Sequence, residues 1–364
     1  MKKVVPFLVL FLGIETVWAS DDLNIISQQA YISIQPVYQS WAGDNDFTFS
    51  EMSVPLQAYY PFNRNASLSI QTNQAMANGD NLEKLSGLTD TQLSLNYFVE
   101  PVNAVLNLGL NLPSGKKALT LDEFVTSSLL SYDFYNFMVP NFGQGLNVSG
   151  GITWVRSLSE NAALGIGVTY QLKGDFEPLQ NMVDKYKPGD EFLATAGFDF
   201  RLTETSTIST DLIFITYAAD KFGDVEVFDS GALFYGNVQY KRYFDFNSLS
   251  LFARYRTKGK NRIAVAGGFV DDENKTVPDL FEMIAAYQMR VNENLSNRFF
   301  AELRFYQEIT TVAAINVFGL GIQPDFRVSE NVSIPARLKY SIGLSENDSR
   351  LNGFEVGAGI YFSF

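Results

Sequence analysis

The chain predicts an all-β fold, a transmembrane antiparallel up-and-down β-barrel of about sixteen strands; fourteen is the main alternative count and about twelve the lower bound. Three observations predict it. Apolar and polar residues alternate with period two in segment after segment. The segments are about ten residues long and are joined alternately by short polar turns and longer polar loops. Beyond the first residues no stretch reaches the roughly 18 continuous apolar residues of a membrane helix, although 46% of residues are hydrophobic and 14% aromatic.

In chain order, residues 1–19 read as a secretory signal. Lys2 and Lys3 precede an apolar run from Val4 to Ile14, and Val17-Trp18-Ala19 before Ser20 suits cleavage after Ala19. The run is too short for a spanning helix. Residues 20–364 are then a single barrel domain. Strands are expected at about 29–40, 47–60, 66–76, 88–99, 104–113, 145–156, 163–173, 190–202, 206–217, 230–244, 248–258, 279–291, 298–307, 314–327, 332–343 and 353–364. Pro36 and Pro55 soften the first pair, because each removes a ladder donor. Arg262 to Val270 reads either as an extra strand piece or as loop. An even strand count places both termini on the periplasmic side.

The short turns share a composition. Leu158-Ser159-Glu160-Asn161, Val291-Asn292-Glu293-Asn294 and Val328-Ser329-Glu330-Asn331 each separate two alternating runs, with Leu202-Thr203-Glu204-Thr205 a looser relative. Leu344-Ser345-Glu346-Asn347 breaks the rule by falling where a long loop is expected. A soluble β-sandwich also alternates, but it must bury all its apolar faces in one core about 10 Å thick. So many apolar faces fit lipid better. Aromatic clusters at Tyr59-Tyr60, Tyr97-Phe98, Tyr243-Phe244 and Tyr361-Phe362 sit near strand ends, as an interfacial girdle would.

If the apolar parity faces lipid, the opposite parity lines the lumen. The early strands contribute mainly amides and hydroxyls, such as Gln92, Ser94 and Asn96. The late strands concentrate Arg254, Arg256, Glu282, Arg290, Glu302, Arg304, Arg337, Lys339 and Glu355. Arg or Lys on the lipid face near the midplane would cost about 2–4 kcal/mol, so this regular placement supports the parity. The charges read either as a cross-strand ion-pair network that fills a small lumen or as a wall that filters solutes. The longest loop, 113–144, carries Phe124, Leu129, Leu130, Phe134 and Phe137. It either packs on itself or a rim, or forms a constriction over the lumen. Lys173 to Glu191 reads as a solvated loop.

Composition excludes several function classes. With no histidine there is no Ser-His-Asp triad, Cys-His dyad or His-ligated zinc. With no cysteine there are no disulfides, and a net charge of −13 without a basic block argues against nucleic acid. No enzyme activity, cofactor or metal site is expected.

The last residues, Phe354 to Phe364, put Phe354, Val356, Ala358, Ile360, Phe362 and Phe364 on one face. This resembles the closing strand of bacterial outer-membrane β-barrels, in which the terminal aromatic, here Phe364, serves as the signal to the barrel-assembly machinery. Gly87-Leu88-Thr89-Asp90-Thr91-Gln92-Leu93-Ser94-Leu95-Asn96-Tyr97, Leu108 to Lys116 with Pro113-Ser114-Gly115, Gly143-Gln144-Gly145 and Tyr186-Lys187-Pro188-Gly189-Asp190-Glu191 resemble outer-membrane transporters of the phenol-degradation (MetA-pathway) and FadL-like hydrocarbon-uptake group. The resemblance covers about residues 85–217. It implies a monomeric barrel that passes small hydrophobic or aromatic molecules without energy input. One departure is clear: only about nine residues separate the expected cleavage site from the first strand, too few for the FadL-type N-terminal plug.

The expectation is therefore a porin-like passive transporter of the Gram-negative outer membrane. Its partners would be outer-membrane lipid and lipopolysaccharide, the barrel-assembly machinery and a small-molecule solute, hydrophobic and aromatic ones among the candidates. The alternative is a structural or interaction barrel with a side-chain-filled lumen and partner-binding loops.

Overall fold

Alternating segments leave one row of side chains on each face of a strand, and sixteen such strands close on themselves. The structure, a computed structural model, describes residues 29–43, 47–310, 312–346 and 349–364. The expected signal segment 1–19 lies outside the described residues, as does Asn347.

The strands in order are β1 (Tyr31–Ile34 and Val37–Gly43), β2 (Thr48–Pro61), β3 (Ala66–Gly79), β4 (Leu85–Leu88 and Thr91–Val99), β5 (Ala104–Leu112), β6 (Asn147–Ser157), β7 (Ala162–Lys173) and β8 (Glu191–Thr203). They continue as β9 (Ser206–Tyr217), β10 (Leu233–Phe244), β11 (Asn247–Lys258), β12 (Leu280–Asn292), β13 (Leu295–Tyr306), β14 (Ile315–Ser329), β15 (Val332–Ser345) and β16 (Arg350–Ala358 and Ile360–Ser363). Each pairs antiparallel with its neighbours. The ring closes where β1 meets β16, with Tyr31 opposite Ser363 and Gln39 opposite Glu355. Closure leaves no free edge, which is what lets strands cross lipid.

Proline has the local effect its missing N–H dictates. β1 breaks at Gln35-Pro36, where Gln35 N donates to Pro55 O at 3.2 Å and Ala358 N donates to Pro36 O at 3.2 Å. Pro55, by contrast, stays within an unbroken β2, opposite Asn73. Arg262 to Val270 is loop and not barrel wall. Arg262–Val265 and Gly268–Asp271 form a hairpin that joins Tyr186–Lys187, Ala219–Phe222 and Val225–Asp229 in a separate five-stranded sheet built from three long loops. The segment from Lys173 to Glu191, expected as simple solvated loop, thus supplies one strand of that sheet.

The short turns work through one interaction. The second residue of each tetrad accepts from the backbone N–H two residues on: Asn161 N to Ser159 Oγ at 3.2 Å, Asn294 N to Asn292 Oδ1 at 2.8 Å, Asn331 N to Ser329 Oγ at 3.4 Å and Thr205 N to Thr203 Oγ1 at 3.3 Å. These turns all lie at one end of the barrel, the turn end. The long loops and the five-stranded sheet mark the other, the loop end.

Parity holds to the last residue. Phe354, Val356, Ile360, Phe362 and Phe364 are exposed on the outside, while Glu355 and Ser363 are buried inside. The inside is uneven. On β14 the inward positions between Val317 and Gln323 are Gly319 and Gly321. A Cβ on Gly321 would run into the Phe300 ring and lie 2.9 Å from Leu338 O, so the bare backbone is what lets side chains of β13 and β15 meet over β14. Gly321→Ala is therefore expected to destabilise by about 1–3 kcal/mol through overpacking. Urea titration in detergent micelles should show a lowered midpoint. The outward Gly150→Ala, whose Cβ would meet only Leu108 Cδ2 at 3.8 Å, is expected to leave the midpoint unchanged.

Candidate functional site inside the barrel

The site begins at a defect in the wall. Opposite β3, Gln74 pairs with Leu88 and Gln71 with Gln92, so β4 carries one extra residue at Thr89-Asp90, a bulge. The bulge turns Asp90 toward the stems of the 113–144 loop. Its carboxylate accepts from Gly115 N at 2.9 Å, Gln144 N at 2.7 Å and Asn111 Nδ2 at 2.8 Å, while Asp90 N donates to Phe142 O at 3.1 Å. One buried side chain thus ties the beginning and end of the loop to the wall. A Cβ on Gly115 would collide with Phe142 O and Asp90 N, so this close approach requires glycine. The three phrases Gly87 to Leu93, Leu108 to Lys116 and Gly143 to Gly145, separate in sequence, meet here.

Past this clasp the loop forms helix α1 (Leu121–Leu130). Thr120 caps it in a full capping box with Glu123, which also pairs with Lys116. Thr126 Oγ1 donates to Glu83 O at 2.7 Å and fixes the helix on the β3–β4 side. The chain then crosses the interior as segment 133–139, which first turns, with Asn136 N donating to Asp133 O at 3.1 Å and Asn136 left-handed at φ 53°. A buried segment without a ladder must find partners for its own peptide groups, and inward side chains of the wall supply them. Trp41 Nε1 donates to Tyr135 O at 2.8 Å; Gln39 donates to Asn136 O at 3.0 Å and accepts from Met138 N at 2.8 Å. Glu51 accepts from Val139 N at 3.1 Å. From β13, Arg304 Nη1 donates to Phe134 O at 3.2 Å and Tyr306 OH to Asp133 O at 3.0 Å. Arg256 of β11 pairs with the Asp133 carboxylate.

Apolar packing completes the dock. Leu130, Tyr135, Phe137, Val139 and Phe142 of the loop are buried against Trp41, Phe49, Leu85, Ile315 and Val317 of the wall. Phe49 and Phe137 meet edge to face at 5.0 Å between centroids. Of the expected constriction residues, Leu130 and Phe137 are in this core, Leu129 and Phe134 are packed against it, and Phe124 is exposed on the outer side of α1.

The late-strand charges are joined to one another. Arg304 Nε lies 2.5 Å from Glu302, Lys339 Nζ lies 3.2 Å from Glu302 and 3.4 Å from Glu355, and Arg337 also pairs with Glu355. Gln39 Nε2 extends the chain to Glu355 at 3.3 Å. Glu302 is 5% exposed and Arg304 1%, so water is shut out. Lys339 reaches Glu302 across β14 because Gly319 and Gly321 leave the way clear. Arg254 pairs with Glu282 at 3.5 Å and with Asn237 Oδ1 at 3.1 Å. Arg290 stands apart: it is exposed near the turn end, over the Phe246 ring at 5.4 Å.

The opposite arc of the interior keeps contact with solvent. The inward Gln92 of β4 and Gln239 of β10 are exposed, and Asn96, Asn107, Asp211 and Asn237 are half-buried. Loop and ion pairs therefore fill one side of the barrel, and an amide-rich accessible face remains on the other. A cavity of about 320 Å³ at the loop end of β12–β14 is lined by the outward Tyr255, Phe281 and Phe305, and so belongs to the outside of the wall.

No protein-family model matches the chain, and no curated relative matches it. Solved structures do. CdiB from Acinetobacter baumannii superposes with a TM-score of 0.53 at 10% identity, covering 90% of this chain and 60% of that one. A double mutant of OccD1 (OprD) gives 0.49 at 9% identity over 93% of this chain and 96% of that one, and a triple mutant of Rh. blastica porin gives 0.39 at 13% over 92% and 100%. The fold is that of an outer-membrane β-barrel. At these identities the likeness is one of fold, and no family match supports the phenol-degradation and FadL-like group.

Sequence reasoning missed Gln39, Trp41, Glu51, Asp90, Asp133 and Tyr306. Glu51 and Gln39 carried a usable signal, since each is a polar residue at an inward position of a strand. Asp90 lies in the Gly87 to Tyr97 stretch, where nothing local marks it as a clasp. Asp133 carried no signal, because its partner Arg256 is far away in sequence.

Proposed function

We propose that this chain is a passive outer-membrane channel for small solutes, with the turn end and both termini in the periplasm and the 113–144 loop as a built-in constriction. The observation that carries the reading is the divided interior: sealed around Glu302, Arg304, Lys339 and Glu355, accessible around Gln92 and Gln239. A constriction that fills only one side narrows the passage without closing it. In the same reading residues 1–19 direct export, Phe364 addresses the assembly machinery, and outer-membrane lipid and lipopolysaccharide surround a monomer. Phe364 stands exposed at the turn end, its N–H donating to Ala30 O at 3.0 Å, which is compatible with that role.

The absence of cysteine makes the test clean. In planar bilayers, Gln92→Cys and Gln239→Cys are expected to react with a membrane-impermeant thiol reagent and lose conductance, whereas Ser341→Cys, at a site 2% exposed, is expected to resist it. Equal protection at all three positions would favour the second reading, a structural barrel with a filled lumen. The ion-paired side of the interior is the observation that keeps that reading in play.

A further inference from the structure

We infer that the passage selects neutral, multiply hydroxylated solutes of sugar-like chemistry, and neither hydrophobic nor charged ones; this rests on the channel reading above. The chemistry of the accessible face differs from that of the rest of the interior. Most inward aromatic rings are engaged with the loop, with a cation or with one another: Tyr31 packs against Tyr59 and Tyr361, and Lys241 and Lys258 lie over Tyr243 and Tyr217. Trp41, Phe49, Tyr135 and Phe137 are buried in the loop dock. Tyr235 and Phe252, inward on the open side, lie under the Arg254 guanidinium, at 5.9 and 5.2 Å from the ring centroids.

Fixed charge is also largely taken up. Glu302, Lys339 and Glu355 are buried in mutual ion pairs, and Arg254 is paired with Glu282. At the inward positions of β8–β10, Asp199 and Asp211 are matched in number by Arg201 and Lys241, and Glu191 is paired with Lys173 at 2.8 Å, so the face carries no net sign.

What remains for a solute to touch is amide. Gln92 and Gln239 each offer a carbonyl acceptor and an NH₂ donor, and Asn237, whose Oδ1 accepts from Arg254, offers its NH₂. In the pair Asn107 Nδ2 to Asn96 Oδ1, at 2.6 Å, the Asn107 oxygen is buried, and the Asn96 NH₂ remains as a donor. A solute in a narrow passage displaces water from these groups. Hydroxyls, which donate and accept, replace the lost hydrogen bonds. A hydrocarbon leaves the amides unpaired, and an ion loses hydration on a face that offers it no net counter-charge.

The test uses the full chain in lipopolysaccharide-containing vesicles at zero membrane potential, with radiolabelled glucose, glucosamine, glucuronate and toluene. Protein-dependent glucose uptake is expected to exceed that of each charged analogue by about fivefold or more, the equivalent of one amide left unsatisfied, with no protein-dependent toluene uptake. Charged analogues as fast as glucose, or a toluene increment larger than that of glucose, would overturn the selectivity and leave the channel standing. No uptake of any probe together with no conductance would overturn the channel itself. Gln92→Leu combined with Gln239→Leu is expected to abolish the glucose advantage; an unchanged advantage would overturn the assignment to these amides.

Discussion

Asp90→Ala is expected to give a channel with higher and noisier single-channel conductance, together with protease cleavage near 113–120 and 141–146 that the unaltered protein resists. The carboxylate holds Gly115, Gln144 and Asn111 at once. Hydrogen bonds to a charged group contribute about 1.5–3 kcal/mol each. They are not additive here, because they share one acceptor group, so the loss is placed at about 3 kcal/mol or more for the clasp as a whole. The strand ladder does not depend on Asp90, and the barrel itself should remain folded, as judged by its mobility in unheated detergent gels. The segment 133–139 keeps its own dock, so the loop should loosen at its stems first. Asp90→Asn is expected to fall between, because one amide oxygen can still accept while its NH₂ faces a backbone donor. Unchanged conductance and unchanged cleavage in Asp90→Ala would show that the dock alone positions the loop.

The second large effect is expected at Arg304. Arg304→Met keeps most of the volume but removes the partner of Glu302 and the donor to Phe134 O. Breaking a buried pair from one side costs about 3–5 kcal/mol when the remaining charge is left alone; Lys339, 3.2 Å from Glu302, compensates part of it, so the lower end is expected. Urea unfolding in lipid vesicles should show that loss. Arg304→Lys, which cannot reproduce the fork of donors, should recover only part of it. Adding Glu302→Gln to Arg304→Met should restore some stability, since the under-compensated carboxylate is gone and Lys339 keeps Glu355, and the double-mutant cycle measures the coupling. The sequence alone left open a filter role for Arg304 and Arg337, in which neutralising them shifts ion selectivity. With Arg304 at 1% exposure, the expected readout is stability; a shifted reversal potential at unchanged stability would show that the network faces the passage after all.

Both predictions concern residues whose position along a strand was legible and whose partners were not. The parity of Arg304, Lys339 and Glu355 follows from period two alone, because a neighbour shifted by one residue would put charge into lipid. The same local rule located the strands and, through the Ser or Asn at the second turn position, the short turns. Arg262 to Val270 was ambiguous because a loop hairpin and a wall strand alternate in the same way. Only its pairing with Val225–Asp229, away from the barrel, separates them.

The sequence by itself determined a closed barrel, the face each side chain presents and the side of the wall on which the charges lie, because these depend on neighbours two residues apart and on the cost of charge in lipid. Only the tertiary structure decided that Gln39 lies beside Glu355, that Lys339 reaches Glu302 over two glycines, that Asp90 clasps both stems of one loop, and that this loop fills one side of the interior. Those facts depend on ring closure and on contacts across the lumen, which join residues far apart in the chain and leave no periodic trace in it.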